Sequence, residues 1–138
     1  MPIGRRPPIN RTFGSFIPDA TASGNLRAGA AVALVSVSGQ ARIIECGANT
    51  SGRSFLGFAP VEVLDGDPVP VVTLRGSTVT PILEGGGNLT PGGALFLSNT
   101  EGEVIHTIPP SGTVIRVGDA FTTTMMTINT DHRVVVSP

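Results

Sequence analysis

The sequence predicts an all-β protein: a compact antiparallel sandwich or barrel with an extended N-terminal arm. Three observations predict it. Eighteen glycines and twelve prolines accompany frequent Val, Ile and Thr, a composition of short strands joined by tight turns. The apolar residues that follow each glycine turn have strand periodicity. A phrase also occurs twice: Gly24-Asn25-Leu26-Arg27-Ala28-Gly29-Ala30-Ala31-Val32-Ala33-Leu34 returns 63 residues later as Gly87-Asn88-Leu89-Thr90-Pro91-Gly92-Gly93-Ala94-Leu95-Phe96-Leu97, identical at six of eleven positions. Each copy reads as a glycine turn feeding a strand, because Gly and Asn tolerate the positive φ that such turns need.

At 138 residues the chain fits one domain. Residues 1–21 form the expected arm. They hold Pro2, Pro7, Pro8 and Pro18, which remove backbone donors and favour extended chain, so this segment is expected to stay out of the middle of a sheet. Ile3, Ile9, Phe13, Phe16 and Ile17 give it more apolar content than a solvated tail needs, as for an arm that orders against a neighbour. A disordered terminus is the alternative.

The β domain is expected over 22–138, with pseudo-repeats at about 22–75 and 85–138. In the first repeat Val32–Val37 and Ala41–Cys46 read as a hairpin about Ser38-Gly39-Gln40. A helix over Asn25–Val37 is the alternative there, but Gly29 interrupts it and the Val-rich end favours a strand. Phe55–Ala59 starts another strand, continued past Pro60 by Val61–Val63, and Val69–Leu74 follows the turn Asp65-Gly66-Asp67-Pro68. Thr78–Leu83 is then a strand before Gly85-Gly86-Gly87 opens the second repeat. Ala94–Ser98 and Glu103–Ile108 repeat the hairpin, and Thr113–Ala120 repeats Ser54–Ala59, with Val117-Gly118-Asp119-Ala120 set against Leu56-Gly57-Phe58-Ala59. Asp131–Val136 is matched to Asp67–Val72. The count is eight to ten strands.

Charge and chemistry narrow the function. All nine basic residues are Arg and the formal net charge is −1, which argues against a nucleic-acid binder working through its whole surface. Arg5, Arg6 and Arg11 precede the first acid, Asp19, so the first eighteen residues carry +3 and the remainder −4. No membrane span or secretory segment is apparent, and the single cysteine, Cys46, excludes an intrachain disulfide, so folding in a reducing cytosol is expected. His106 and His132 are far apart and lack metal-ligand spacing, so no metal or other cofactor is expected. Asp65, Asp67, Asp119 and Asp131 sit beside Gly or Pro or open a strand, where a carboxylate accepts backbone N–H bonds, so they read as turn residues. Gly85-Gly86-Gly87 lacks the Lys-Ser/Thr of a phosphate loop, and no nucleophile elbow is present. No catalytic residue is assigned.

The runs Leu56-Gly57-Phe58-Ala59, Gly66-Asp67-Pro68-Val69-Pro70-Val71 with Arg75-Gly76, and Leu89-Thr90-Pro91-Gly92-Gly93-Ala94-Leu95-Phe96-Leu97 resemble the head-decoration, or capsid cement, proteins of tailed bacteriophages. The resemblance covers about Gly24 to Val136. It implies a β-body, made in the host cytoplasm, that trimerises on the outer capsid surface of the virion and clamps major capsid subunits. The partners expected are the major capsid protein and further copies of the chain, with neither nucleic acid nor membrane. The arm would supply the contacts: Phe13, Phe16 and Ile9 in apolar grooves, and Arg5, Arg6 and Arg11 as forked donors to carboxylates. Two other classes compete. A trimeric dUTP-hydrolysing enzyme has subunits of this size, but this chain has no Tyr, and its tail, Asp131-His132-Arg133-Val134-Val135-Val136-Ser137-Pro138, lacks the Gly-rich character. A tail or spike adhesin would bind glycan, for which Trp and Tyr are missing.

Overall fold

A computed structural model describes residues 15–49, 54–130 and 134–136. Among them are twelve strands and no helix: β1 Ser15–Ala22, β2 Ala31–Val37, β3 Gln40–Glu45, β4 Ser54–Phe58, β5 Pro68–Val71, β6 Thr78–Val79, β7 Ala94–Leu97, β8 Val104–Ile105, β9 Gly112–Val114, β10 Arg116–Ala120, β11 Met126–Ile128 and β12 Val134–Val136. The all-β class predicted from composition is the one observed. Helix over 25–37 fails for the reason given by Gly29: its φ is +84°, and β2 begins two residues later.

Both large sheets curl until they close. The first has the order β4-β2-β3-β1-β5, and its outer strands meet where Phe58 and Val72 exchange hydrogen bonds of 3.1 and 2.9 Å. The second has the order β6-β11-β10-β7-β8. The chain leaving β6 runs on to the far side of β8, where the Val104 N–H donates to Ile82 O at 2.8 Å and the Glu84 N–H to Val104 O at 2.9 Å. Each closed ring thus uses backbone groups that an open edge would leave unpaired. A two-stranded ribbon, β9 with β12, follows the second ring.

The rings are two copies of one design. In the first, β2 pairs with β3 and β4; in the second, β7 pairs with β8 and β10. Each carries a bulge at the same place: Val32 faces Gly57 and Ala33 faces Phe55, while Leu95 faces Gly118 and Phe96 faces Arg116, so Leu56 and Val117 are the extra residues. The repeated phrase forms one turn twice. The Gly29 N–H donates to Ala59 O and the Ala59 N–H to Ala30 O at 2.6 and 2.9 Å; Gly92, Ala120 and Gly93 repeat this at 2.8 and 2.8 Å.

Twelve strands among the described residues stand against the eight to ten expected, and the expected strand Val61–Val63 is reduced to the isolated Leu26–Val63 bridge; two further expectations are corrected. Residues 15–21, read as part of the arm, form β1 inside the first ring. β1 pairs antiparallel with β5 (Ser15 opposite Val71, Phe16 opposite Pro70 and, past a register shift, Thr21 opposite Pro68), and its end pairs parallel with β3 (Thr21 opposite Arg42, Ala22 opposite Ile43). Pro18 falls between Phe16 and Thr21, where the β1–β5 register shifts, a place that tolerates a residue without an N–H. Residues 78–84 repeat this path: Val79 pairs with Met126, Leu83 with Val104, and Pro81 lies between. The matched paths are therefore 15–72 and 78–128. The second correction concerns 131–136: β12 joins β9, and the partner of β5 in the second ring is β11, which shares no recognisable sequence with it.

Alternation along the strands fills two cores. Ala20, Ala22, Val32, Ile43, Val69 and Val71, capped by Leu26, Ala59 and Val63, fill the first ring. The other face of the same strands, Ala31, Ala33, Phe58 and Val72, joins Leu95, Leu97, Val104, Val117, Met126 and Ile128 in a cluster that fills the second ring and cements the two. Phe55 packs edge-on against Phe58 with ring centroids 5.6 Å apart.

Candidate functional site

Of the arm residues singled out in the sequence, Arg5, Arg6, Ile9, Arg11 and Phe13 lie outside the described residues; the backbone of Phe16 lies in β1 opposite Pro70. The structure adds a surface that sequence reasoning missed. Beside the β1–β5 ladder is an open groove lined by Val61, Glu62, Val63, Leu64, Asp67, Pro68 and Pro70. It arises because Val69 and Val71 point into the ring, which turns Pro68 and Pro70 outward, and because Pro60 ends β4 pairing and swings Val61–Leu64 alongside. Leu64 is 57% exposed and Val61 38%, an apolar pair that the core does not use. Among the described residues neither Glu62 nor Asp67 forms an ion pair. The only sequence signal was the alternating Pro68-Val69-Pro70-Val71, which marks a strand with one proline face.

Of the carboxylates that the sequence offered as turn residues, Asp65 holds a turn, Asp119 instead lies within β10, and Asp131 lies outside the described residues. Asp65 accepts from the Gly24 N–H at 2.8 Å, while its own N–H donates to Asn25 Oδ1 at 2.9 Å, so side chains tie the first turn phrase to a turn some forty residues further along the chain. Arg42 lies 3.4 Å from Asp65, and Arg116 pairs with Asp119. Cys46 is buried. Among the described residues no group of three or more His, Cys, Asp or Glu side chains gathers as a metal site would require.

One polar device repeats with the fold. The Arg27 N–H donates to Glu45 Oε2 at 2.8 Å; at the matching place in the second ring the Thr90 N–H donates to His106 Nε2 at 2.9 Å. Glu45 is the β3 partner of Val32, and His106 follows the β8 residues paired with Phe96 and Leu97, so both acceptors occupy one position of the repeat. His106 Nδ1 lies 2.9 Å from Ala94 O, which makes Nδ1 the donor and Nε2 the acceptor. Arg27 goes further: it also donates to Glu103 Oε2 at 3.1 Å and to Glu101 O at 2.8 Å, tying the first ring to the β7–β8 hairpin. Its hydrogen bonds to Glu45 hold the guanidinium above its ordinary pKa against partial burial, so it stays charged.

The fold defines a class: an all-β body in which two sheets repeat one design. No protein-family model matches the chain, and no curated protein matches it.

Proposed function

We propose that this chain is a capsid decoration protein of a tailed bacteriophage, binding as a trimer to the outer shell and clamping major capsid subunits through residues 1–14. The resemblance in the sequence motivates the proposal. The observation that supports it is the anchoring of β1. The strand that begins immediately after residues 1–14 is paired with β5 from Ser15 onward and with β3 at Thr21 and Ala22, so the arm is rooted in a strand lying between two others in the sheet. A cement protein needs such a mount, because its stabilisation comes from many modest contacts joined through a rigid body.

The position of β1 also fixes the test. Removing residues 1–18 would take Ser15 and Phe16 out of their pairs with Val71 and Pro70, so loss of binding would be confounded by damage to the ring. Removing residues 1–14 spares every described strand. The shortened chain should keep its trimeric mass in solution and lose co-sedimentation with purified shells; undiminished co-sedimentation refutes the arm as the clamp, and a monomeric full-length chain refutes the trimer.

A further inference from the structure

We propose that the groove beside β5 is the docking site, in the free protein, for residues 1–14 of the same chain. This is independent of the shell reading, since it concerns the isolated protein; if both hold, the shell and the groove compete for one arm.

Three observations lead to this occupant. The arm enters the body at the groove: Ser15 is paired with Val71 and Phe16 with Pro70, and Pro70 and Pro68 form the groove's β5 wall. Fourteen residues of extended chain span up to about 45 Å, far more than the groove needs, and Gly14 permits a reversal of direction directly before β1. The chemistry is complementary. The groove offers exposed Val61, Leu64 and Pro68 with the Glu62 and Asp67 carboxylates at its margin, while the segment carries Ile3, Pro7, Pro8, Ile9 and Phe13 with Arg5, Arg6 and Arg11. Proline restricts the free segment, which lowers the entropy lost on docking, and guanidinium forks suit carboxylates.

The test uses the full chain with Asn10→Cys carrying a nitroxide, Cys46 being buried and slow to label. Methyl spectra read the distance. Docking predicts loss of most of the Val61 and Leu64 methyl intensity, recovered on reducing the nitroxide, with Leu95 and Val104 in the second ring unaffected. Adding Glu62→Gln and Asp67→Asn should restore at least half of the lost intensity at physiological salt. Undiminished Val61 and Leu64 signals overturn the proposal. So does equal broadening of isotope-enriched chain that carries no nitroxide when it is mixed with labelled, unenriched chain, which would assign the groove to a neighbouring copy.

Discussion

Gly118→Ala is the sharpest probe of how closely β10 and β11 pack within the second sheet. Gly118 lies in the middle of β10, opposite Leu95 on one side and Ile128 on the other. A Cβ there would sit 2.1 Å from the Thr127 carbonyl oxygen and 2.5 Å from Met126 Cε, more than 1 Å inside ordinary contact. The Met126 side chain can yield, but the carbonyl belongs to the ladder. Relief requires β10 and β11 to part by about that distance, which takes their neighbouring hydrogen bonds out of range. Two such bonds at about 1 kcal/mol each and about 1–3 kcal/mol of overpacking are offset by up to about 1 kcal/mol from the stiffer unfolded chain. We expect a net loss of about 2–4 kcal/mol, read as a lower urea midpoint at unchanged slope. Gly57→Ala, the matching position in the first ring, meets Val72 O at 2.3 Å, but that closure is a single bridge that can part, so its loss should be the smaller, about 2 kcal/mol. Gly66→Ala is the control: open space at φ +88° leaves only the left-handed penalty of about 1–2 kcal/mol. A Gly118→Ala protein within about 1 kcal/mol of the parent would refute the close approach of the two strands.

Other outcomes follow from the polar contacts and the chain end. Arg27→Ala should cost about 1 kcal/mol, since the guanidinium is half exposed and screened while two mostly buried carboxylates lose their shared cation; Arg27→Lys should recover less than half, because one ammonium cannot reproduce the fork, as chemical denaturation would show. His106→Ala should cost about 1 kcal/mol by freeing the Thr90 N–H and the Ala94 carbonyl, with faster amide exchange at Thr90 and not at Arg27. In the neutral imidazole, nitrogen shifts should show the proton on Nδ1. Deleting residues 1–14 should change stability by less than about 1 kcal/mol, whereas deleting 1–18 should cost at least about 2 kcal/mol through the lost β1–β5 pairs.

How much was legible depended on the kind of signal. The hairpin about Ser38 and Gly39 was readable because its turn demands unusual backbone angles, φ +52° and +80°, that few residues accept. The glycine match between Leu56-Gly57 and Val117-Gly118 was readable for a related reason: at both sites a neighbouring carbonyl occupies the space of a Cβ. Strand β11 was missed because Met126-Thr127-Ile128 is three residues long and follows four threonine-rich turn residues, too short for a period to show. The equivalence of Glu45 and His106 was hidden as well, since a carboxylate and an imidazole share only the ability to accept a hydrogen bond. The groove could not be read because its walls come from two separate strand ends.

The sequence by itself determined that this chain is all-β, that its glycine turns recur, and that its positive charge gathers ahead of Asp19. Those properties are local, set by backbone sterics, side-chain alternation and charge. Only the tertiary structure decided that β1 belongs to the body, that both sheets close, and that the second ring begins at Thr78. The reason is the same in each case: a proline-broken strand has no ladder of its own period to announce it. Its place is fixed by two partners, β5 and β3, that lie about fifty and twenty residues further along the chain.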